Sequence, residues 1–281
     1  MLTESLAIKY ESLKNALCAM RSVLIAFSGG VDSALLLKVA AEALPKDRIL
    51  AVTARSHTMP GAEIEEAVRL AAELSVPHLV VDSSEMASVA FTSNTADRCY
   101  VCKRIRCLEL LGLAQDRGIP HVVDGSNWDD QSDYRPGLRA TRELGVRGPL
   151  SEAELTKGEI RLLARELGLP NWNKPSAACL ASRIPYGAEI TAEKLQQIDR
   201  CEHFLRCEKL AEQVRVRHYG DTARIEVDAA CLPHLTEPAT RIRLLEFFKQ
   251  AGFTFVTLDL EGYQMGSLNR ALNQERAEPG Q

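Results

Sequence analysis

Apolar positions along this chain fall into two regimes. In the first, short unbroken apolar runs alternate with longer stretches where apolar residues recur every three or four positions. Val23-Leu24-Ile25-Ala26-Phe27, Ile49-Leu50-Ala51-Val52-Thr53-Ala54 and His78-Leu79-Val80-Val81 read as buried parallel strands, and His121-Val122-Val123-Asp124 as a fourth. Between them the spacing predicts an amphipathic lead-in helix over 5–20, an apolar helix from Ala34 to Ala40, and helices over 63–74 and 99–117. Strands alternating with helices predict an α/β fold, a doubly wound parallel sheet with right-handed crossovers. Thr156, followed three residues on by Glu159, makes a capping box that opens a helix through Leu167, stopped by Gly168 and Pro170.

The second regime begins around Tyr186-Gly187. A helix over 191–211 precedes apolar–polar alternation from Gln213 to Tyr219 and from Thr222 to Ala230, turned at Gly220-Asp221 as a hairpin. A helix over 238–250 and a strand from Thr254 to Leu260 complete a small α+β unit. The expected organisation is an α/β domain over 1–185, a smaller C-terminal α+β domain over 186–270 for substrate binding or oligomerisation, and a flexible tail over 271–281. The proline-broken loop over 171–185 is too apolar for a linker, and long irregular loops in compact domains are usually functional or disordered.

Composition narrows the partners. At 281 residues, 46% hydrophobic and 26% charged, the chain can bury a sizeable core as one large or two smaller domains. No apolar run approaches the roughly 20 residues of a membrane span. Met1-Leu2-Thr3-Glu4-Ser5 lacks a charged lead-in to an apolar core, so a cytoplasmic protein with no membrane partner is expected. A net charge of −4 disfavours nucleic acid as a general partner and leaves any anionic ligand to local arginines. Eight cysteines without an export signal read as thiols or metal ligands rather than as a disulfide framework.

Chemistry concentrates after the first strand. Ser28-Gly29-Gly30-Val31-Asp32-Ser33 joins a strand to a helix N-terminus, where glycines let backbone N–H groups converge and the helix dipole favours anions. The loop is neither a Walker A nor a Gly-x-Gly-x-x-Gly turn. Cys99-Tyr100-Val101-Cys102 sets two thiols on one helix face, and Cys179 in the 171–185 loop could join them at the carboxyl edge of the sheet. Two readings of the pair stand: cluster ligands, since three thiolates can hold an iron–sulfur cluster with one iron open, or half-buried structural thiols. Cys18, Cys201, Cys207 and Cys231 read as buried small apolar residues. Cys107, off the face of Cys102, is set aside. In Val214-Arg215-Val216-Arg217 the valines are buried and both arginines point one way, about 7 Å apart. Arg215 should oppose Glu226 and Arg217 oppose Arg224, giving either a phosphate grip or a sheet face laced with ion pairs.

Ser28–Ser33 resembles the pyrophosphate loop of the N-type ATP pyrophosphatases, the PP-loop class with a Rossmann-like fold. With Asp129 and the segment from Lys174 to Arg183 added, the chain resembles the LarE family from Leu13 to Asp259. The resemblance implies an ATP-dependent, AMP-forming sulfurtransferase. Its substrate would be pyridinium-3,5-biscarboxylic acid mononucleotide, converted to thiocarboxylates for the nickel-pincer cofactor of lactate racemase. It further implies ATP, Mg²⁺ and a [4Fe–4S] cluster on Cys99, Cys102 and Cys179, the last three also being the catalytic cysteines. The alternative within the family is a single sacrificial cysteine at 179. Ser28, Gly29, Gly30 and Ser33 are expected at the pyrophosphate, Asp32 at Mg²⁺, and Thr53, Arg55, Gly125 and Asp129 around the rest of ATP. Lys103 and Lys174 could neutralise phosphates. Ser182, Arg183, Arg215, Arg217 and Asp228 are expected at the substrate nucleotide. A sulfide donor and a homo-oligomer are expected partners. A tRNA thiolase and a non-catalytic nucleotide-binding module are the competing readings.

Overall fold

The computed structural model describes residues 3–131, 136–175 and 178–264. Within these, residues 3–92 and 96–175 form one compact unit, and 93–95 with 178–264 form another. The segment 178–185, grouped above with the α/β domain, belongs to the second unit; the tail over 271–281 lies outside the described residues.

The first unit runs α1 (Glu4–Met20), β1 (Val23–Ala26), α2 (Val31–Ala43), β2 (Ile49–Arg55), α3 (Gly61–Glu73), β3 (His78–Asp82), α4 (Val89–Thr92), α5 (Arg98–Asp116), β4 (His121–Val123), α6 (Pro136–Glu143), α7 (Pro149–Glu152) and α8 (Lys157–Glu166). Its strands form a parallel sheet in the order β3-β2-β1-β4, with Leu24 registered against Leu50 on one side and Val122 on the other. Both faces are apolar because helices cover both, the doubly wound arrangement that unbroken apolar runs predict. Ile25 and Ala51 pack with Leu17, Leu35 and Leu163 of α1, α2 and α8 on one face. Leu24, Val52 and Val122 pack with Cys107 and Leu110 of α5 on the other. After β3 the chain crosses to the far side of β1. The order therefore reverses between β1 and β4, and open α/β sheets bind ligands beyond the carboxyl ends of strands at such a switch point.

The second unit runs α9 (Ala192–Cys207), β5 (Val214–Tyr219), β6 (Thr222–Val227), α10 (Leu232–Thr236), α11 (Pro238–Gln250) and β7 (Phe255–Leu258). β5 and β6 form the expected antiparallel hairpin, with Arg215 opposite Glu226 and Arg217 opposite Arg224. β7 joins β6 in parallel, so this smaller sheet is mixed. Val214, Val216 and Ile225 pack with Cys201, Leu205 and Phe248. The arginine face is covered too: β5 is buried from Val214 through His218.

Two cysteines depart from the expected burial. Cys201 is in the core, where burial pushes its thiol up to about 12. Cys231 is half-buried, but Cys18 and Cys207 are exposed. Cys18 lies on the outer side of α1, its thiol donating to the Ala43 carbonyl, and Cys207 ends α9 beside His203 at 3.2 Å. Apolar neighbours in sequence did not place these two on the inward stripe of their helices.

Candidate active site

β1 delivers the Ser-Gly-Gly turn to the switch point, and α2 starts immediately after it. Gly29 has φ +73°, and a Cβ there would stand 3.1 Å from Ala67 Cβ on α3, so the loop lies flat on that helix. The Gly29 carbonyl accepts from the buried Asn171 amide at 2.9 Å, which ties the 171–175 segment to the loop. Ser33 Oγ donates to the Gly30 carbonyl at 3.1 Å and accepts from the Ser28 N–H at 3.3 Å, closing the turn on itself. After β4, Gly125 passes so close to α2 that a Cβ would meet the Ser33 nitrogen at 2.9 Å. Only glycine permits the end of β4 and the first turn of α2 to converge this tightly.

A cavity of about 300 Å³ opens here, lined by Ser28, Gly30, Asp32, Ser33, Thr53 and Gly125 together with Lys103, Arg106, Asp124 and Asp130. Thr53 turns its hydroxyl inward, donating to the Phe27 carbonyl at 2.7 Å and meeting His78 Nε2 at 2.8 Å. It therefore braces the strand before the loop as well as walling the cavity. Arg55 is not among the cavity's walls; it pairs with Asp82 at 2.6 Å on the exposed end of β2. Asp129 is exposed and accepts from the Lys157 N–H at 2.8 Å, while its neighbour Asp130 is buried and faces the cavity.

Charges in the cavity come in pairs. Lys103 Nζ lies 2.8 Å from the buried Asp124 carboxylate. Burial disfavours both charges, but each outweighs it for the other: the lysine is held above and the aspartate below its ordinary value. Fully buried Glu85 holds Arg106 at 2.5 Å with help from Thr58. Lys157, from the first turn of α8, puts its ammonium 2.5 Å from Asp32. Lys174 is held by Glu63 and Glu66 of α3 at 2.6 and 2.7 Å, so it anchors its loop there.

α5 carries the thiol pair. Lys103, Arg106, Cys107 and Leu110 of this helix wall the cavity. Cys99 precedes Lys103, and Cys102 precedes Arg106, by one helical turn on the same side. Cys99 is exposed and Cys102 half-buried. Cys179 is exposed in the second unit. Among the described residues no three His, Cys, Asp or Glu side chains gather as a metal site.

Within the second unit, two arginines shape the turn that follows Cys179. Arg183, only 2% exposed, grips Glu202 through Nε and Nη2 at 2.8 and 3.0 Å, and its Nη1 donates to the carbonyls of Ala178 and Cys179 and to Ser182 Oγ. Arg217 grips Glu226 at 2.9 and 2.7 Å and donates to the Ser182 carbonyl at 2.7 Å. Arg215 differs. It is buried, donates to the Val214 carbonyl and lies over the Tyr263 ring, but no carboxylate hydrogen-bonds to it among the described residues. Burial, with Arg183 and Arg217 nearby, pushes its guanidinium down. Asp228 is exposed at the end of β6.

Glu202 is already held by Arg183 and Arg206, and Glu226 by Arg217 and Arg224, which leaves an anion-seeking centre at Arg215. Pattern reading set Glu226 opposite Arg215, as observed, but its carboxylate pairs with Arg217; Glu202 it missed altogether. Glu202 shares the inward stripe of α9 with Leu195, Ile198, Cys201 and Leu205, and an acid on an apolar stripe is the available signal.

Comparison with known proteins fits this geometry. A family model described as NAD synthase matches residues 6–128, the part that carries β1, the loop and the thiol helix. An uncharacterised protein of Synechocystis is 43% identical over 95% of this chain and 98% of its own. The pyridinium-3,5-bisthiocarboxylic acid mononucleotide synthase of Lactiplantibacillus plantarum is 37% identical over 96% of this chain and 97% of its own. The chain belongs to the LarE family. A tRNA-specific 2-thiouridylase of Parvibaculum lavamentivorans is similar over 62% of this chain and 52% of its own, at 30% identity. LarE membership makes the protein an ATP-dependent enzyme of the PP-loop class, with a phosphate loop at the switch point of its parallel sheet. No helix among the described residues is long and apolar enough to cross a membrane.

Proposed function

We propose that this protein is a cytoplasmic, AMP-forming sulfurtransferase that converts the carboxylates of pyridinium-3,5-biscarboxylic acid mononucleotide to thiocarboxylates for the nickel-pincer cofactor of lactate racemase. The observation that carries this reading is the near full-length match to a protein named for that product. A carboxylate oxygen attacks the α-phosphorus of ATP; the new O–P bond forms as the bond to the β-phosphate oxygen breaks, and pyrophosphate leaves. A sulfur nucleophile then adds to the acyl carbon, the carbon–oxygen bond to AMP breaks, and AMP departs.

In this reading Ser28, Gly29, Gly30 and Ser33 hold the β- and γ-phosphates with backbone N–H groups and the α2 dipole. Asp32 fits Mg²⁺, since its carboxylate faces the cavity and already attracts a cation, the Lys157 ammonium. Mg²⁺ held there would offset charge on the departing pyrophosphate. Thr53, Gly125 and Asp130 bound the nucleotide. Arg215 takes the phosphate of the pyridinium nucleotide, Ser182 and Asp228 flank it, and Arg183 and Arg217 fix the turn after Cys179.

Cys99, Cys102 and Cys179 carry the sulfur step. Their chemistry fits a [4Fe–4S] cluster, which thiolates ordinarily hold. Such a cluster would supply an open iron to carry sulfide from an external donor. Anaerobic reconstitution is the test. Roughly four irons per chain, lost in Cys99→Ala, Cys102→Ala and Cys179→Ala, are expected. An iron-free protein that loses hydrogen sulfide from Cys179 during one turnover would contradict the cluster and establish sacrifice of that cysteine.

A further inference from the structure

Lys157 breaks a local rule. It opens α8, at the end where the helix dipole repels cations. Two carboxylates from elsewhere compensate: Asp32 of α2 takes its ammonium at 2.5 Å, and Asp129 takes its backbone N–H at 2.8 Å. The capping box of Thr156 and Glu159 fixes the turn around it. α2 and α8 pack with their N-termini together, so the lysine reaches the rim of the phosphate loop, where Asp32 shares the cavity wall with Ser28, Gly30 and Ser33. Violations of local preference that neighbours sustain at such a cost mark functional positions.

We propose that Lys157 is a substrate-contacting residue whose ammonium binds the β- and γ-phosphates of ATP and stabilises the departing pyrophosphate. This rests on the ATP-splitting reading above. When the bond between the α-phosphorus and its bridging oxygen breaks, that oxygen and its electron pair leave with the pyrophosphate, which gains negative charge. An ammonium beside it then binds the transition state more tightly than ATP itself. The lysine's flexible four-carbon stem reaches from Asp32 to a phosphate in the loop without backbone movement, and Asp129 keeps that backbone fixed.

Calorimetric titration with ATP, inorganic pyrophosphate and AMP, each against the parent protein and Lys157→Met, tests this. One lost charge-assisted hydrogen bond should weaken ATP and pyrophosphate by about tenfold to a hundredfold. AMP, which lacks the outer phosphates, should bind both proteins equally, and Lys157→Arg should retain most of the pyrophosphate affinity. Independently of any variant, amine acetylation of the parent read by peptide mass spectrometry should show Lys157 protected by pyrophosphate and not by AMP. Unchanged affinities in Lys157→Met, or no protection by pyrophosphate, would overturn the role of Lys157 and leave the ATP reading intact. A parent protein that binds neither ATP nor pyrophosphate would overturn that reading and this proposal with it.

Discussion

Arg215 and Arg217 stand two residues apart on one strand and do opposite work. Arg217 is neutralised by Glu226 and also donates to the Ser182 carbonyl. Arg215 sits buried beside two other guanidiniums with no carboxylate hydrogen-bonded to it among the described residues. Removing the first takes the two-pronged partner from a buried acid and leaves it only the more exposed Arg224, whereas removing the second relieves repulsion from Arg183 and Arg217. Arg217→Met should therefore cost about 3 kcal/mol, since breaking one side of a buried pair leaves a charge that Arg224 only partly compensates. Arg215→Met should hold or raise stability while abolishing affinity for the pyridinium nucleotide. Paired denaturant melts and titrations with that nucleotide check this. Equal destabilisation by both variants would contradict the division of roles.

Elements were the most legible level in the sequence, because period and punctuation determine them. The four parallel strands, the capping box of α8 and the hairpin register of β5 with β6 all follow from alternation and turn residues. The helix expected over 191–211 stops at Cys207, because the chain turns through Lys209 at φ +55°, a conformation that no glycine announces. The cavity's walls were legible where one segment carries them, as in Ser28–Ser33, and opaque where their bracing depends on pairs remote in sequence. Asp32 with Lys157 and Asn171 with Gly29 are set by how helices and loops pack, not by spacing.

Glu85 with Arg106 belongs to that remote class, and it ties α5 to the loop after β2 through Ser56 and Thr58. Burial alone would push the Glu85 carboxyl up; the Arg106 guanidinium, with the hydroxyls of Ser56 and Ser83, outweighs it and brings it to about 2 from an ordinary 4.5. A carboxyl depressed in the folded state stabilises fully above its unfolded value, and that stability is lost as pH falls from about 4.5 towards about 2. Glu85→Gln should lower stability at neutral pH by about 3 kcal/mol and flatten the acid limb of the stability curve. Melts of parent and variant across that range check it, and parallel curves would contradict the assignment.

At the scale of the whole molecule, the proposed reading assigns activation to one unit and substrate grip to the other. The first unit holds the phosphate loop, the cavity and two thiols; the second holds Cys179 and the arginine centre. That division agrees with the comparisons: a NAD synthase family model covers only residues 6–128, within the first unit, whereas the Synechocystis and Lactiplantibacillus relatives match the chain nearly end to end. On the proposed function, the second unit is what would turn a shared ATP-splitting site towards one substrate.

The most direct measurement is an anaerobic turnover count. The reconstituted protein is incubated with Mg·ATP, sulfide and pyridinium-3,5-biscarboxylic acid mononucleotide, and mass spectrometry follows product, AMP and the intact chain together. The account predicts many thiocarboxylates per protein, one AMP for each, and an unaltered Cys179. AMP release that ignores the pyridinium nucleotide, or AMP formed without sulfur entering it, would contradict it.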